Sequence, residues 1–215
     1  IMTVYEFIKK EIITGKYKEG SIFDEQAVCR QLNVSRTPVR EAVLKLNEEG
    51  YLVVMPRRGT IVSSISYSDI QSLYGLRKIL EPEIAGIAAR TMEPAEASAW
   101  RDYLLRQKEN HGEAFPAYPL VQEDSGLWDA DKAFHLALAT ATDNKYIIRE
   151  IEKVMDLSMR IRVLSNVESI ERKMCAIDEH IAIVDAVLAK DSEQAKRSMA
   201  YHLEKTMEGY AKYGV

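Results

Sequence analysis

Over the first fifty residues, apolar side chains return every three or four positions. Val4, Phe7, Ile8 and Ile12 form one stripe, and Gly15 stands where a helix built on it would end. Ala27, Val28 and Leu32 form a shorter one between the turn at Gly20 and Asn33. A third helix is predicted from a Ser35 or Thr37 cap, with Pro38 in its first turn, to Gly50. The period then changes: YLVVM and TIVSSI are β-rich runs joined by PRRG, a hairpin in both pattern and length. Three helices and a hairpin describe a winged helix-turn-helix over residues 1–66. From Ser68 onward no strand pattern recurs, and 69–91, 94–111, 128–142, 145–164, 168–189 and 192–212 read as amphipathic helices. The expected fold is mainly α: an N-terminal winged helix-turn-helix with a small β-hairpin, then a C-terminal all-α bundle of about six helices over residues 67–215. The longest break, 112–127, reads as a flexible loop, long enough for a lid and more simply a surface excursion.

Composition narrows what such a chain is. With 215 residues, 47% of them hydrophobic and 29% charged, it can bury a sizeable core. No apolar run approaches the ~18 residues of a membrane span, and IMTVYEFIKK has neither a leading basic patch nor a small-residue cleavage site. A cytoplasmic protein with no membrane partner is expected. Ile1 precedes Met2 and the helical pattern is already running at Val4, so the natural N-terminus is expected upstream. Cys29 and Cys175 make neither a disulfide framework nor a zinc knuckle and are expected as buried small hydrophobes. The net charge of −4 conceals an asymmetry: residues 1–66 carry ten Lys/Arg against eight Asp/Glu, residues 67–215 nineteen against twenty-five. A local basic face, rather than the whole-chain charge, decides whether nucleic acid can bind.

Projected at 100° per residue, the third helix puts Val39, Ala42, Val43 and Leu46 in one sector and Arg36, Thr37, Arg40 and Glu41 in another. Two arginines four apart are, alone, more often a solvated face than a reader of DNA. The hairpin tip adds Arg57 and Arg58 with Gly59, where a wing would reach a neighbouring groove or backbone. In a helix-turn-helix the second motif helix enters the major groove, and Arg there can fork onto guanine or pair with phosphate.

The run from Asp24 through NVSRTPVREAVLKLNEEGYLVVMPRRGTIV closely resembles the DNA-binding domain of the GntR family of bacterial transcription regulators, over about residues 3–65. The resemblance implies that Arg36, Thr37 and Arg40 fall on recognition-helix positions, and Arg58 with Gly59 on the wing tip. Leu44 departs from the pattern, standing where family members often carry a basic residue. Packing under the wing is the favoured reading, contact with a thymine methyl the other.

Three of the four histidines form a constellation. Asp131 and His135 in DADKAFH are four apart, on one helical face about 6 Å from each other. His180 and His202 each lie eleven residues from position 191, where the last two helices turn, so both stand about 16 Å from that turn at ~1.5 Å per residue. Two helices facing the first could each add an imidazole. A lone helical histidine is more often a core or surface residue than a ligand, and Asp131 could simply pair with Lys132 or cap a turn. His111, at a helix end beside Gly112, reads as solvent-facing, and Trp100, Tyr103, Trp128 and Phe134 as core.

The LYGLRKILEPEIAGIAA opening, the DxxxH helix, the DNKYI turn and the two late histidines resemble the FCD effector domain of the FadR subfamily of these regulators. That resemblance implies a divalent metal ion, commonly zinc or nickel, held by Asp131, His135, His180 and His202. It also implies that Arg77, four residues before Glu81, points into an effector cavity. The residues alone read as an i, i+4 surface ion pair. Arg160 or Arg162 could face the same cavity.

The expected function is a ligand-responsive regulator that binds a (pseudo)palindromic operator on double-stranded DNA as a homodimer and answers to a small carboxylate effector. The alternatives are a metal-dependent enzyme with a DNA-binding appendage and a ligand-blind repressor with a structural metal. Against the enzyme, the sequence supplies no separate general base beside the ligand set.

Overall fold

The structure, a computed structural model, describes residues 2–110, 129–165 and 169–212. His111, Trp128 and the expected loop at 112–127 lie outside the described residues. The chain divides into two compact units, Ile1–Ser66 and Tyr67–Val215.

In the first unit, α1 (Val4–Ile13) begins at a capping box: Thr3 accepts from the Glu6 N–H, and the Glu6 carboxylate accepts from the Thr3 N–H at 2.7 Å. The two-residue strand β1 (Ile22–Phe23) precedes α2 (Glu25–Leu32), which is capped by Asp24 and closed by Asn33 in the left-handed region. Ser35 occupies the cap position of α3 (Arg36–Glu48), but neither its side chain nor that of Thr37, already inside the helix, caps it. The third position of α3 is Pro38, which has no N–H for a capping serine to receive. β2 (Leu52–Met55) and β3 (Gly59–Val62) pair antiparallel with Val53 opposite Ile61, and β1 adds to the other edge of β3 to give the order β1-β3-β2. The sequence pattern gave only two of these strands. At the hairpin tip the Arg58 N–H donates to the Met55 carbonyl, and Gly59 has φ 93°, which favours glycine. Ile8, Ile12, Val28, Val39, Leu46, Leu52 and Val62 are buried between the helices and the sheet.

The second unit holds α4 (Tyr67–Thr91), α5 (Pro94–Glu109), α6 (Ala130–Thr140), α7 (Lys145–Ser165), α8 (Ile170–Leu188) and α9 (Ser192–Lys212). α4 packs along α9, α9 along α8, α8 along α5 and α6 along α7, while α4 also meets α6, α7 and α8. Trp100 meets Tyr103 and Phe134 edge-on, with centroids 5.8 and 5.6 Å apart, inside a continuous apolar core. Pro82 lies within α4 and removes the N–H that would bond the Lys78 carbonyl. Among the described residues no helix is long and apolar enough to cross a membrane. The cysteines depart from expectation: Cys29 is half-buried and Cys175 is exposed on the outer side of α8. An i, i+3, i+4 stripe admits residues at its margin, and both thiols sit there.

Candidate functional site

α6 owes its position to Asp129, whose carboxylate accepts from the Lys132 N–H at 2.7 Å and takes both of its 2.8 Å contacts with Arg162 Nη2 from α7. With the helix so started, Asp131 and His135 project toward α8 and α9. Asp131, His135, His180 and His202 each bring one donor atom to a common point, and these atoms all lie within 4.8 Å of one another. His180 Nε2 is 3.3 Å from His202 Nε2, and Asp131 Oδ1 is 3.5 Å from His180 Nε2 and 3.7 Å from His135 Nε2. Four donors at ~2.0–2.2 Å from one ion at tetrahedral angles would stand ~3.3–3.6 Å apart. The His135 Nε2 is buried and has no hydrogen-bond partner among the described residues, an arrangement unfavourable for the imidazole alone. Donor set, spacing and this orphaned nitrogen fit a divalent ion.

Two of the three histidines, His135 and His202, have a carboxylate behind the outward-facing ring nitrogen. Glu81 of α4 contacts His135 Nδ1, and Glu179 of α8 lies 2.7 Å from His202 Nδ1. Such carboxylates favour the tautomer that would leave Nε2 unprotonated toward a bound ion. Arginines hold both. Arg77 donates to Glu81 from Nε at 2.5 Å and from Nη2 at 3.3 Å, and reaches Ser158 from Nη1 at 3.3 Å. Arg172 grips Glu179 with a fork at 2.6 and 2.7 Å. Asp131 itself is contacted through Oδ2 by Arg162, leaving Oδ1 toward the histidines.

The charges follow from this arrangement. Burial works against an ionised Asp131, but Arg162, His135 and His180 hold its carboxyl well below the usual carboxylate range. Burial likewise opposes ionisation of Glu81, and Arg77 and His135 overcome it to bring the carboxyl down to about 2. Burial and the neighbouring His202 push His180 well below the usual imidazole range, and burial also lowers His202 in spite of Glu179. One carboxylate and neutral imidazoles are the protonation states a metal requires.

Arg77 and Glu81 form no surface pair: both are 2% exposed, and the arginine's fork is taken up by the glutamate. Of the two α7 arginines, Arg162 reaches the ligand set and Arg160 is buried. Lys132 pairs with Asp156, not with Asp131.

In the other unit, Arg36, Thr37 and Arg40 lie exposed on α3, and Arg57, Arg58 and Gly59 are exposed at the β2–β3 tip. Among the described residues none of the four arginines has a carboxylate partner. Leu44 does not pack under the wing. It is 53% exposed, because its place on α3 lies off the sector of Val39, Val43 and Leu46.

Residues 72–205 match the FCD domain, and residues 1–62 match the bacterial regulatory proteins of the gntR family. The chain belongs to the GntR family. It is 26% identical over 205 residues to the HTH-type transcriptional repressor RspR of Escherichia coli (strain K12), covering 95% of this chain and 86% of that protein. It is 28% identical over 226 residues to the HTH-type transcriptional regulator LutR of Bacillus subtilis (strain 168), covering 93% and 97%. Two solved structures share its fold: E. coli McbR/YncC (TM-score 0.74, 19% identity, 97% and 95% covered) and a putative GntR regulator from Rhodococcus sp. RHA1 (0.72, 23%, 98% and 95%). This GntR-family chain is thus a transcription regulator with an FCD effector domain, and the enzyme reading is set aside. The site agrees with that: Glu81 and Glu179, the carboxylates behind the ligands, are both occupied by an arginine and a histidine. The sequence reading had Glu81 only as the partner of Arg77 and did not name Glu179. Glu179 could have been found, since the register that levels His180 with His202 also brings its neighbour toward His202.

Proposed function

We propose that the protein binds a (pseudo)palindromic operator as a homodimer in the cytoplasm and that a divalent ion at Asp131, His135, His180 and His202 forms the floor of a site for a small carboxylate effector. The observation that carries this reading is the convergence of the four donor atoms within 4.8 Å, each outer imidazole nitrogen of His135 and His202 backed by a carboxylate. The ion, when bound, supplies positive charge and open coordination positions for a carboxylate or water; zinc and nickel both suit the donor set. The chain's own groups do the rest. Asp131 is aimed by Arg162, and Arg77 steadies Glu81 while its Nη1 edge, toward Ser158, is where an effector carboxylate would arrive.

On the DNA side, Arg36, Thr37 and Arg40 are assigned to base and backbone contacts in the major groove and Arg57, Arg58 and Gly59 to the wing. Their exposure and lack of carboxylate partners support this. Exposed Leu44 is suited to a thymine methyl. α4 follows the wing directly in sequence and carries both Arg77 and Glu81, so a ligand that changes their contacts acts on the helix leading back to the DNA-binding unit.

Elemental analysis of the purified full chain, with and without incubation with zinc or nickel, tests the metal. About one ion per chain is expected, and His180→Ala and His202→Ala should each weaken retention by more than ~100-fold, beyond the effect of an outer-shell change. A wild type that stays metal-free after incubation would sink the reading.

A further inference from the structure

On the outer side of the α8–α9 hairpin lies a groove of about 730 Å³ lined by Arg172, Cys175, Glu179 and Ala182 from α8 and by Arg197, Ser198, Tyr201 and Lys205 from α9, among others. None of the proposed metal ligands and no part of the Arg77 edge lines it. Its volume falls in the range of small-molecule sites, ~300–1,000 Å³.

Its charges are arranged asymmetrically. The acids are engaged: Asp178 is paired with Lys108 at 2.5 Å, and Glu179 is held by Arg172 and His202. The cations are less so. Among the described residues Arg197 bonds only the neutral amide oxygen of Gln194, at 3.2 and 3.0 Å, and Lys205 has an exposed i, i+3 pair with Glu208, which contributes little in water. Among the described residues Arg172 uses Nη1 and Nη2 on Glu179 and Thr206 and leaves its Nε–H without a partner. Ser198, 8% exposed, accepts from Gln194 Nε2 at 3.1 Å, and its own hydroxyl proton has no acceptor among the described residues. A buried hydroxyl with a donor to give, two guanidinium groups and an ammonium on one groove suit an oxyanion carrying two charges. The groove is far larger than such an anion, and beside the cations stand Ala182 and the Tyr201 ring, 53% exposed.

We infer that this groove is a second ligand site, for a small phosphorylated organic molecule: the phosphate lies among Arg197, Lys205, Ser198 and the Nε edge of Arg172, and the organic part lies against Tyr201 and Ala182. The site stands apart from the proposed carboxylate site and does not require the metal. It connects with it through one chain of contacts, Arg172 to Glu179 to His202. A dianion drawing on Arg172 loosens that residue's hold on Glu179, which then accepts more strongly from His202 Nδ1 and adds negative charge on the side of the ion. This second part rests on the metal reading above. Coupling is reciprocal, so ion and phosphate ester should each tighten the other.

Calorimetry on the metal-free full chain, with inorganic phosphate and phenyl phosphate as probes, tests the site. Phenyl phosphate should bind about tenfold or more tightly than inorganic phosphate. Arg197→Ala, an exposed change that leaves the thermal melt in place, should weaken both by about tenfold. No heat from either probe up to about 10 mM, or equal binding by Arg197→Ala, would overturn the site; equal affinity for the two probes would overturn the organic occupant. In a nickel titration, saturating phenyl phosphate should raise metal affinity by about three- to tenfold in wild type and not in Arg197→Ala. An unchanged nickel affinity would overturn the link while leaving the groove site, and a chain that takes no nickel at all fails the metal reading without touching the phosphate titrations.

Discussion

The two units use arginine in opposite ways. In the first, Arg36, Arg40, Arg57 and Arg58 stand in solvent with no carboxylate partner among the described residues. In the second, Arg77, Arg162 and Arg172 each grip a carboxylate, and each of those carboxylates is a proposed ligand or touches one. An exposed guanidinium without a partner keeps its donors for another molecule, whereas a buried and paired one organises its own protein. The whole-chain charge of −4 describes neither situation. It averages a surface proposed to meet an anionic polymer with an interior proposed to hold a cation.

The contrast breaks most visibly at Glu81. Glu81→Leu leaves Arg77 buried without its counter-charge and should destabilise the effector unit by about 3–5 kcal/mol in denaturant melts. Arg77→Met together with Glu81→Leu should recover most of that loss. A single substitution costing under about 1 kcal/mol would mean that the pair behaves like those on the surface. Next in size is acid. In the metal-free protein, His180, His202 and Asp131 all bind protons more weakly when folded than when unfolded. Stability should therefore hold above about pH 6.5 and fall below it, at up to ~1.4 kcal/mol per pH unit for each proton, first through the histidines and then, below about pH 4, through Asp131. A melt that is flat from pH 7 to 5 would contradict this.

The exposed arginines should leave the fold alone and change only DNA binding. Arg36→Ala or Arg40→Ala is expected to cost about 1–3 kcal/mol of operator affinity with relaxed base preference, read in competition binding. The smallest effect belongs to Arg58→Ala, which should weaken specific and non-specific DNA alike and reduce the salt slope by ~1. An Arg36/Arg40 double alanine variant with wild-type operator affinity would remove α3 from the reading surface.

How much of this could be read from the sequence follows from the range of the interactions. The helices of the second unit show in the 3.6-residue pattern because each buries one face, and the histidine levels follow from the rise of a helix. β1 did not show: a two-residue strand has no period, and it exists because β3 offers it an edge. The same limit hid the role of Glu81. Four residues from Arg77 it reads as half of a surface pair, and only the packing of α4 against α6 turns it into the partner of His135. Leu44 and Cys175 were misread for the opposite reason, since hydrophobic character predicts burial on average and not for a residue at the margin of a stripe.

Pro82 follows Glu81 in the middle of α4. In mechanical terms that helix is a beam whose backbone ladder lacks a rung one residue past its load point. With that one bond missing, a change of angle between the stretch from Tyr67 to Glu81 and the stretch from Pro82 to Thr91 strains only the bonds on either side of it and costs less there than elsewhere along the helix. A change in the contact of Glu81 with His135 would act beside that missing rung, on the N-terminal side of a half anchored in the apolar core by Ala85, Ala88 and Ala89.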